Sequence, residues 1–372
     1  MTIESKEVMI KRPAPWSRIV RDLAVPVLAV VTALTIGAVV IWATKASVAK
    51  AYQGLLEGAF GNVRNLTETL VIATPYTLAG LAVALGFRCG LFNIGVEGQF
   101  YMGALCSVFV GYAVKGLPVY VHLPLALCAG ALGGAVWGAI PGLLKAKLGA
   151  HEVINTIMLN YIAVKTVDYL VKNPMRDATS TIPRTPNVEP TAFLPQLLPP
   201  YRVHLGLIIA IVAIFVVYWF LWKTTLGFEI RTVGANPDAA KYAGMSVTRN
   251  LVLAMVLSGA LAGLAGTGEV LGTNHNLPAA FISGYGFDSI AIALLAKSHP
   301  FGILPAAFLW AALRNGAGLM QVRAGISIDL INIVQALVIV FIAADDIIRW
   351  LYRIKRPKDE MRDVVFTRGW GR

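Results

Sequence analysis

KTTLGFEIRTVGANPDAAKYAGMSVTRN, residues 223–250, is a polar stretch between two long apolar runs, 204–222 and 251–271. Each run approaches the ~20 residues that carry a helix across a bilayer. The polar stretch therefore reads as a loop on one side of a membrane. A short helix inside it has both ends marked. Asn236 suits the N-cap, Pro237 the first helical position and Asp238 the positive end of the dipole. Lys241 falls in the last turn, and Gly244 sits where a left-handed residue ends a helix. That is about two turns, ~10 Å long, too short to offset the cost of nucleation in water. It either rests on headgroups and its own flanking spans or is received in a partner's groove. Ala239, Ala240, Ala243 and Gly244 are small enough for close approach there.

The composition agrees with this reading. The 372 residues are 57 % hydrophobic and only 14 % charged, with a mean hydropathy of +0.67. A soluble domain carries about 25 % charge. The expected fold is all-α, a polytopic transmembrane helical bundle containing broken helices. Alternating strands of about ten residues, which a β-barrel needs, are absent from the sequence. The net charge of +12 sits beside the apolar runs, so it reads as a topology signal rather than a nucleic-acid surface. Cys89, Cys106 and Cys128 have no zinc-site spacing and read as packing residues.

Apolar runs at 24–44, 66–87, 94–114, 123–144, 153–171, 205–222, 251–271, 281–296, 303–320 and 330–350 give about ten spans. The first is too long for the ~7–15-residue core of a signal peptide, so it reads as an uncleaved span. Residues 1–22 form a polar tail, 23–350 the membrane domain and 351–372 a basic tail. A Pro-rich loop occupies 172–202. The N-terminal tail, the Lys145/Lys147 turn, the 223–250 loop and the C-terminal tail are basic. An even number of spans places all four in the cytoplasm, with both termini inside.

Each half holds a polar, Gly-rich island within an apolar run, at 86–99 and 268–289. Paired interruptions of this kind point to a midplane binding site. In the first island Asn93 suits the cap of a helix starting at Ile94. Phe92, Glu97 and Gln99 lie beside it. Glu97 either lines a pathway, with Arg88 as its nearest partner in sequence, or is solvated at the cytoplasmic surface. In the second, Glu269 and Asn274 precede Phe287 and Asp288. Asp288 and Ser289 suit the cap of a half-helix, 290–296. Phe287 offers an aromatic face, to a substrate ring or to the membrane interface. His275 reads as a residue of the exterior loop. Asn155 and Asn160 add two amides within the 153–171 run, where interhelical bonding is the plainer reading. Phe92, Asn93, Glu97, Gln99, Asn155, Asn160, Glu269, Asn274, Phe287 and Asp288 are the candidate pathway lining. No P-loop pattern, no catalytic constellation and no metal-ligand set occurs in the sequence.

FNIGVEGQ (92–99), HEVINTIMLNYIA (151–163), RTVGANPDAAKYAGMS (231–246) and GFDSIAIALLA (286–296) occur in this order. Together they resemble the permease subunits of ABC importers of the branched-chain amino acid, ribose and nucleoside superfamily. The likeness is greatest to the nucleoside and simple-sugar branch. The resemblance implies a multi-pass permease of a prokaryotic inner membrane, paired with a second and commonly different permease. It implies an extracytoplasmic substrate-binding protein and a separate cytoplasmic ATPase that carries ATP and Mg²⁺, with no cofactor in this chain. The ATPase-docking segment would be Gly234, Ala235, Asn236, Pro237, Asp238, Ala239, Ala240, Lys241, Tyr242, Ala243 and Gly244. Nucleosides are the expected substrates, with ribose or another simple sugar as the alternative. An ion-coupled secondary transporter is the rival of another class.

Overall fold

The computed structural model describes residues 15–279, 281, 284–327, 329–343 and 345–353. Most of the two expected tails, 1–14 and 354–372, lies outside the described residues. Helices follow one another along the chain. They are α1 (Pro15–Ala43), α2 (Val48–Phe60), α3 (Val63–Arg88), α4 (Val96–Ala113), α5 (Val119–Leu148), α6 (Glu152–Lys172) and α7 (Gly206–Lys223). Then come α8 (Thr225–Ala235), α9 (Pro237–Tyr242), α10 (Val247–Glu269), α11 (Tyr285–Leu295), α12 (Pro300–Ala324), α13 (Asp329–Ala343) and α14 (Asp345–Leu351). Among the described residues β-pairing is limited to two isolated bridges, Arg184 with Pro278 and Gln196 with His204.

Polar caps punctuate the apolar runs. Asn62 accepts from the Asn65 amide at 2.8 Å to start α3. Thr224 does the same for α8 through Gly227, at 3.1 Å. These caps satisfy amide groups that the helix itself leaves open. Five helical stretches are long and apolar enough to cross a membrane: Val63–Arg88, Val119–Leu148, Gly206–Lys223, Val247–Asn274 and Pro300–Ala324. Shorter apolar helices run over Val27–Ala43, Tyr285–Leu295 and Asp329–Phe341. Large apolar side chains such as Leu132, Val136, Tyr161, Phe215 and Trp219 face outward, as a lipid-facing surface requires.

The centre of the bundle is α3, buried over nearly all of its length from Thr67 to Phe87. α7, α10, α11 and α12 pack around it. α10 also crosses α5 where Gly134 lies against Gly259 and Gly263. Without Cβ atoms at this crossing, the backbones approach closely, the usual way membrane helices gain contact.

Several breaks depart from the expected spans. α2 is an additional helix, and Asn315 of α12 holds its junction with α3 by donating to the carbonyls of Gly58 and Asn65 at 3.1 and 2.9 Å. α10 ends in a π-helical turn, Val270–Asn274. The last expected run holds α13 and α14, and residue 344 between them lies outside the described residues. The Pro-rich loop is tied down. Its Thr185, Val188 and Leu194 amides donate to the Leu277, His275 and Leu271 carbonyls at 2.9–3.0 Å.

Candidate functional site

The structure brings the two polar islands together. Glu97, in the first turn of α4, is only 5 % exposed. Its carboxylate accepts from the amides of Gly284 at 3.0 Å and Gly286 at 2.6 Å. It is neither solvated nor aimed at Arg88, which donates to the carbonyls of Ser298 and Lys297 at 3.0 and 3.1 Å. The carboxylate instead caps α11 from another part of the chain, meeting the positive end of that helix. The fit needs Gly286, because a Cβ there would collide with the Glu97 backbone.

The expected caps shift accordingly. α11 starts at Tyr285, earlier than 290, so Asp288 and Ser289 lie inside its first turns. Asn93 does not start a helix at Ile94; its Oδ1 accepts from Gly95 at 2.9 Å and α4 begins at Val96. Its Nδ2 donates to Ser258 Oγ at 2.9 Å and Gln99 Oε1 at 3.1 Å. Asn160 accepts from the Gly98 amide at 2.8 Å and donates to the Ile94 carbonyl at 2.9 Å. Asn93, Gln99 and Asn160 are thus buried braces of the α3–α4 break. Asn155 is half-buried, with an Nδ2 that lacks a partner. Phe92 is half-buried against Phe87.

Asp288 belongs to a different cluster. Its Oδ2 accepts from the Tyr76 hydroxyl at 2.5 Å and from Arg314 at 3.3 Å, and Arg314 also donates to the Tyr76 oxygen. The Arg314 guanidinium lies 4.9 Å from the ring centre of Tyr285 and 5.7 Å from that of Tyr76. Tyr285 in turn stacks on Phe100. The charges of Arg314 and Arg202 both act on Glu269, which takes a weak bond from Asn274 at 3.5 Å. Arg202 grips Glu68 with two nitrogens, at 3.0 and 2.5 Å. Three carboxylates and two guanidiniums therefore alternate from the start of α7 towards the middle of α12. Glu269, Asn274 and Asp288 of the expected lining lie on this series, and Phe287, 50 % exposed, precedes Asp288 on α11. Tyr76, Arg314, Arg202 and Glu68 were not expected. Arg314 carried a signal all the same, as the lone charge of residues 300–322, since charges inside spans are costly and mark function.

The docking segment has the expected ends. Asn236 Oδ1 accepts from Asp238 and Ala239 at 3.0 and 3.1 Å, and Gly244 has φ 80°. Ala240 departs from expectation, since it is fully buried against its own chain and presents no surface to a partner. Tyr242 is 97 % exposed. The segment is fastened to the bundle through Gly234, which lies on the Arg88 carbonyl. Trp222 stands within 5.2 and 5.5 Å of the Arg88 and Arg231 guanidiniums. α8 and α9 thus join the ends of α3 and α7 in one packed unit.

Residues 65–343 match the family model described as branched-chain amino acid transport system / permease component. The guanosine ABC transporter permease protein NupP of Bacillus subtilis is 43 % identical over 333 residues, covering 88 % of this chain and 95 % of that protein. The glucose ABC transporter permease protein TsgB13 of Haloferax volcanii is 37 % identical over 339 residues, 88 % and 89 % of the two chains. The nucleoside ABC transporter permease protein NupB of Lactococcus lactis is 38 % identical over 347 residues, 91 % and 94 %. The Bacillus and the Lactococcus each hold a second, more distant match, NupQ at 29 % and NupC at 26 %.

Proposed function

The chain belongs to the permease components of the branched-chain amino acid transport family, and from that premise we propose that it is the membrane-spanning subunit of an ABC importer for nucleosides. The observation that carries the substrate class is the 43 % identity to a guanosine permease over nearly the whole of that relative. The second reading, a simple sugar such as glucose, is favoured by the 37 % identity to TsgB13.

In this reading the chain pairs with a second, different permease, as the double matches within two organisms suggest. A binding protein delivers substrate from outside. A separate ATPase, with its ATP and Mg²⁺, docks on residues 234–244. The permease sits in a prokaryotic inner membrane with about ten crossings and both termini inside. Phe92, Asn93, Glu97, Gln99, Asn155, Asn160, Glu269, Asn274, Phe287 and Asp288 line or brace the pathway.

The coupling follows from the packing. Nucleotide binds the closed and open ATPase pairs with different affinity, and only such a difference shifts a conformational equilibrium. A displacement of α9 passes through α8 to the end of α3, because Gly234 and Arg88 are in direct backbone contact. Arg88 carries it to the end of α11 through the carbonyls of Lys297 and Ser298. The start of α11 is held by Glu97, so movement at the docking end reaches the polar islands through one rigid helix.

Uptake of labelled nucleoside into cells expressing the native partners tests this function. Uptake that stops on ATP depletion and survives an ionophore supports the importer. The reverse pattern supports an ion-coupled secondary transporter. Purification in mild detergent should bring down the ATPase and the second permease in constant ratio.

A further inference from the structure

Asp288 is held at one oxygen and open at the other. Oδ2 takes both protein hydrogen bonds, from Tyr76 and Arg314. Oδ1 takes none from any described residue, yet it is not among the buried polar atoms without a partner. Its side chain is 29 % exposed and that of Arg314 is 39 % exposed. Its pairing with Arg314 and Tyr76 offsets the cost of a carboxylate in an apolar bundle. Held by a tyrosine and an arginine, Asp288 has a fixed direction for its open oxygen.

The surroundings narrow the ligand. Oδ1 is an acceptor and calls for an O–H or N–H donor. Two guanidiniums stand with three carboxylates here, so no positive excess is left for a phosphate. Phe287, the preceding residue of α11, is half exposed and adds an apolar ring to the same turn of that helix. A neutral solute with hydroxyl donors attached to a planar ring meets all three conditions.

We propose that Asp288 is a specificity-determining residue, whose open oxygen accepts the vicinal sugar hydroxyls of a nucleoside during passage, with Tyr76 and Arg314 as the positioning residues that aim it. This rests on the nucleoside reading above. A ligand lacking both hydroxyls leaves Oδ1 unpaired as it passes, so it is carried less well. The permease thereby adds a second discrimination to that of the binding protein.

The test compares uptake of a ribonucleoside with its 2′,3′-dideoxy analogue in cells containing the whole complex. The binding protein is the same for every variant, so a change in the ratio reports the permease alone. Asp288→Asn exchanges a charge-assisted bond for a neutral one. The expected result is ribonucleoside uptake lowered about tenfold, dideoxy uptake little changed, and the preference between them lost. Tyr76→Phe keeps the carboxylate but removes one of its two holders, so a smaller loss of preference is expected. A wild-type ratio in either variant, or an equal fall for both solutes in a complex of normal abundance, overturns the proposal. Should Asp288→Asn fail to assemble, the ratio in Tyr76→Phe decides alone. Wild-type cells that carry no nucleoside at all overturn the parent reading instead.

Discussion

His204 makes the stability of the protein depend on pH. It lies in the segment before α7, 2 % exposed, with Nδ1 accepting from the Gly206 amide at 3.1 Å. Burial first, then the neighbouring His275, lowers its pKa to about 4. Between about pH 4 and 6.5 the unfolded chain binds a proton there that the native one does not. Stability is therefore full above ~6.5, falls as the pH drops, and is lower by about 3 kcal/mol once below 4. Thermal unfolding in detergent should show that slope, and His204→Asn, which keeps an acceptor for Gly206, should flatten it. A slope unchanged in the variant would assign the pH dependence elsewhere. Asn160 poses a second test. Asn160→Leu strands the Gly98 amide and the Ile94 carbonyl where no water replaces the lost bonds, costing about 2–5 kcal/mol. An unchanged melting temperature would contradict the bracing role. Residue types were legible in the sequence, but their partners were not. Glu97 stood out as a carboxylate in an apolar run, yet nothing in the chain revealed that its partners are backbone amides nearly two hundred residues away. Arg314 was visible as a lone charge; Tyr76 was not visible, being an ordinary aromatic in a buried helix.

At the scale of the element, α9, the proposed docking helix, separates surface from support. Tyr242 is almost fully exposed and Ala240 fully buried, two residues apart on one short helix. Tyr242→Ser should leave the melting temperature unchanged and reduce the ATPase recovered with the permease. Ala240→Asp should lower the melting temperature, because a carboxylate is forced into a packed contact. If Tyr242→Ser retains ATPase and uptake, the exposed face of α9 is not the docking surface. Gly244→Ala tests the turn itself. A φ of 80° costs an alanine about 1–2 kcal/mol. The ends of this helix were legible because caps are local chemistry. The burial of Ala240 was not, since it depends on how the loop folds back. α8 was hidden in a stretch too short and polar for a periodic signal, and the π-helical end of α10 leaves no mark in composition.

Across the whole molecule, hydropathy recovers the bundle better than it counts the crossings. α6 is long enough to cross but carries Glu152, Lys165, Asp168 and Lys172, and α4 opens with Glu97 and Gln99, both buried. Such polar groups, exposed or half-buried on α6 and buried on α4, lower the very signal used to find spans. Connectivity gives a sharper test. Ile182, 71 % exposed in the Pro-rich segment, and Lys241 in α9 are separated by one long apolar helix, α7. α7 has 18 residues, which at ~1.5 Å per residue gives roughly 27 Å, close to the hydrocarbon core. Arg353 follows α10, α11, α12 and α13, an even number of expected crossings, and should return to the side of Lys241. Cysteines at these three positions, with the exposed Cys128 changed to serine, decide the matter through an impermeant maleimide. Intact cells should label Ile182→Cys alone, and permeabilised cells all three. Labelling of Lys241→Cys from outside would mean that α7 does not cross, and the docking loop would then lie out of reach of any cytoplasmic ATPase.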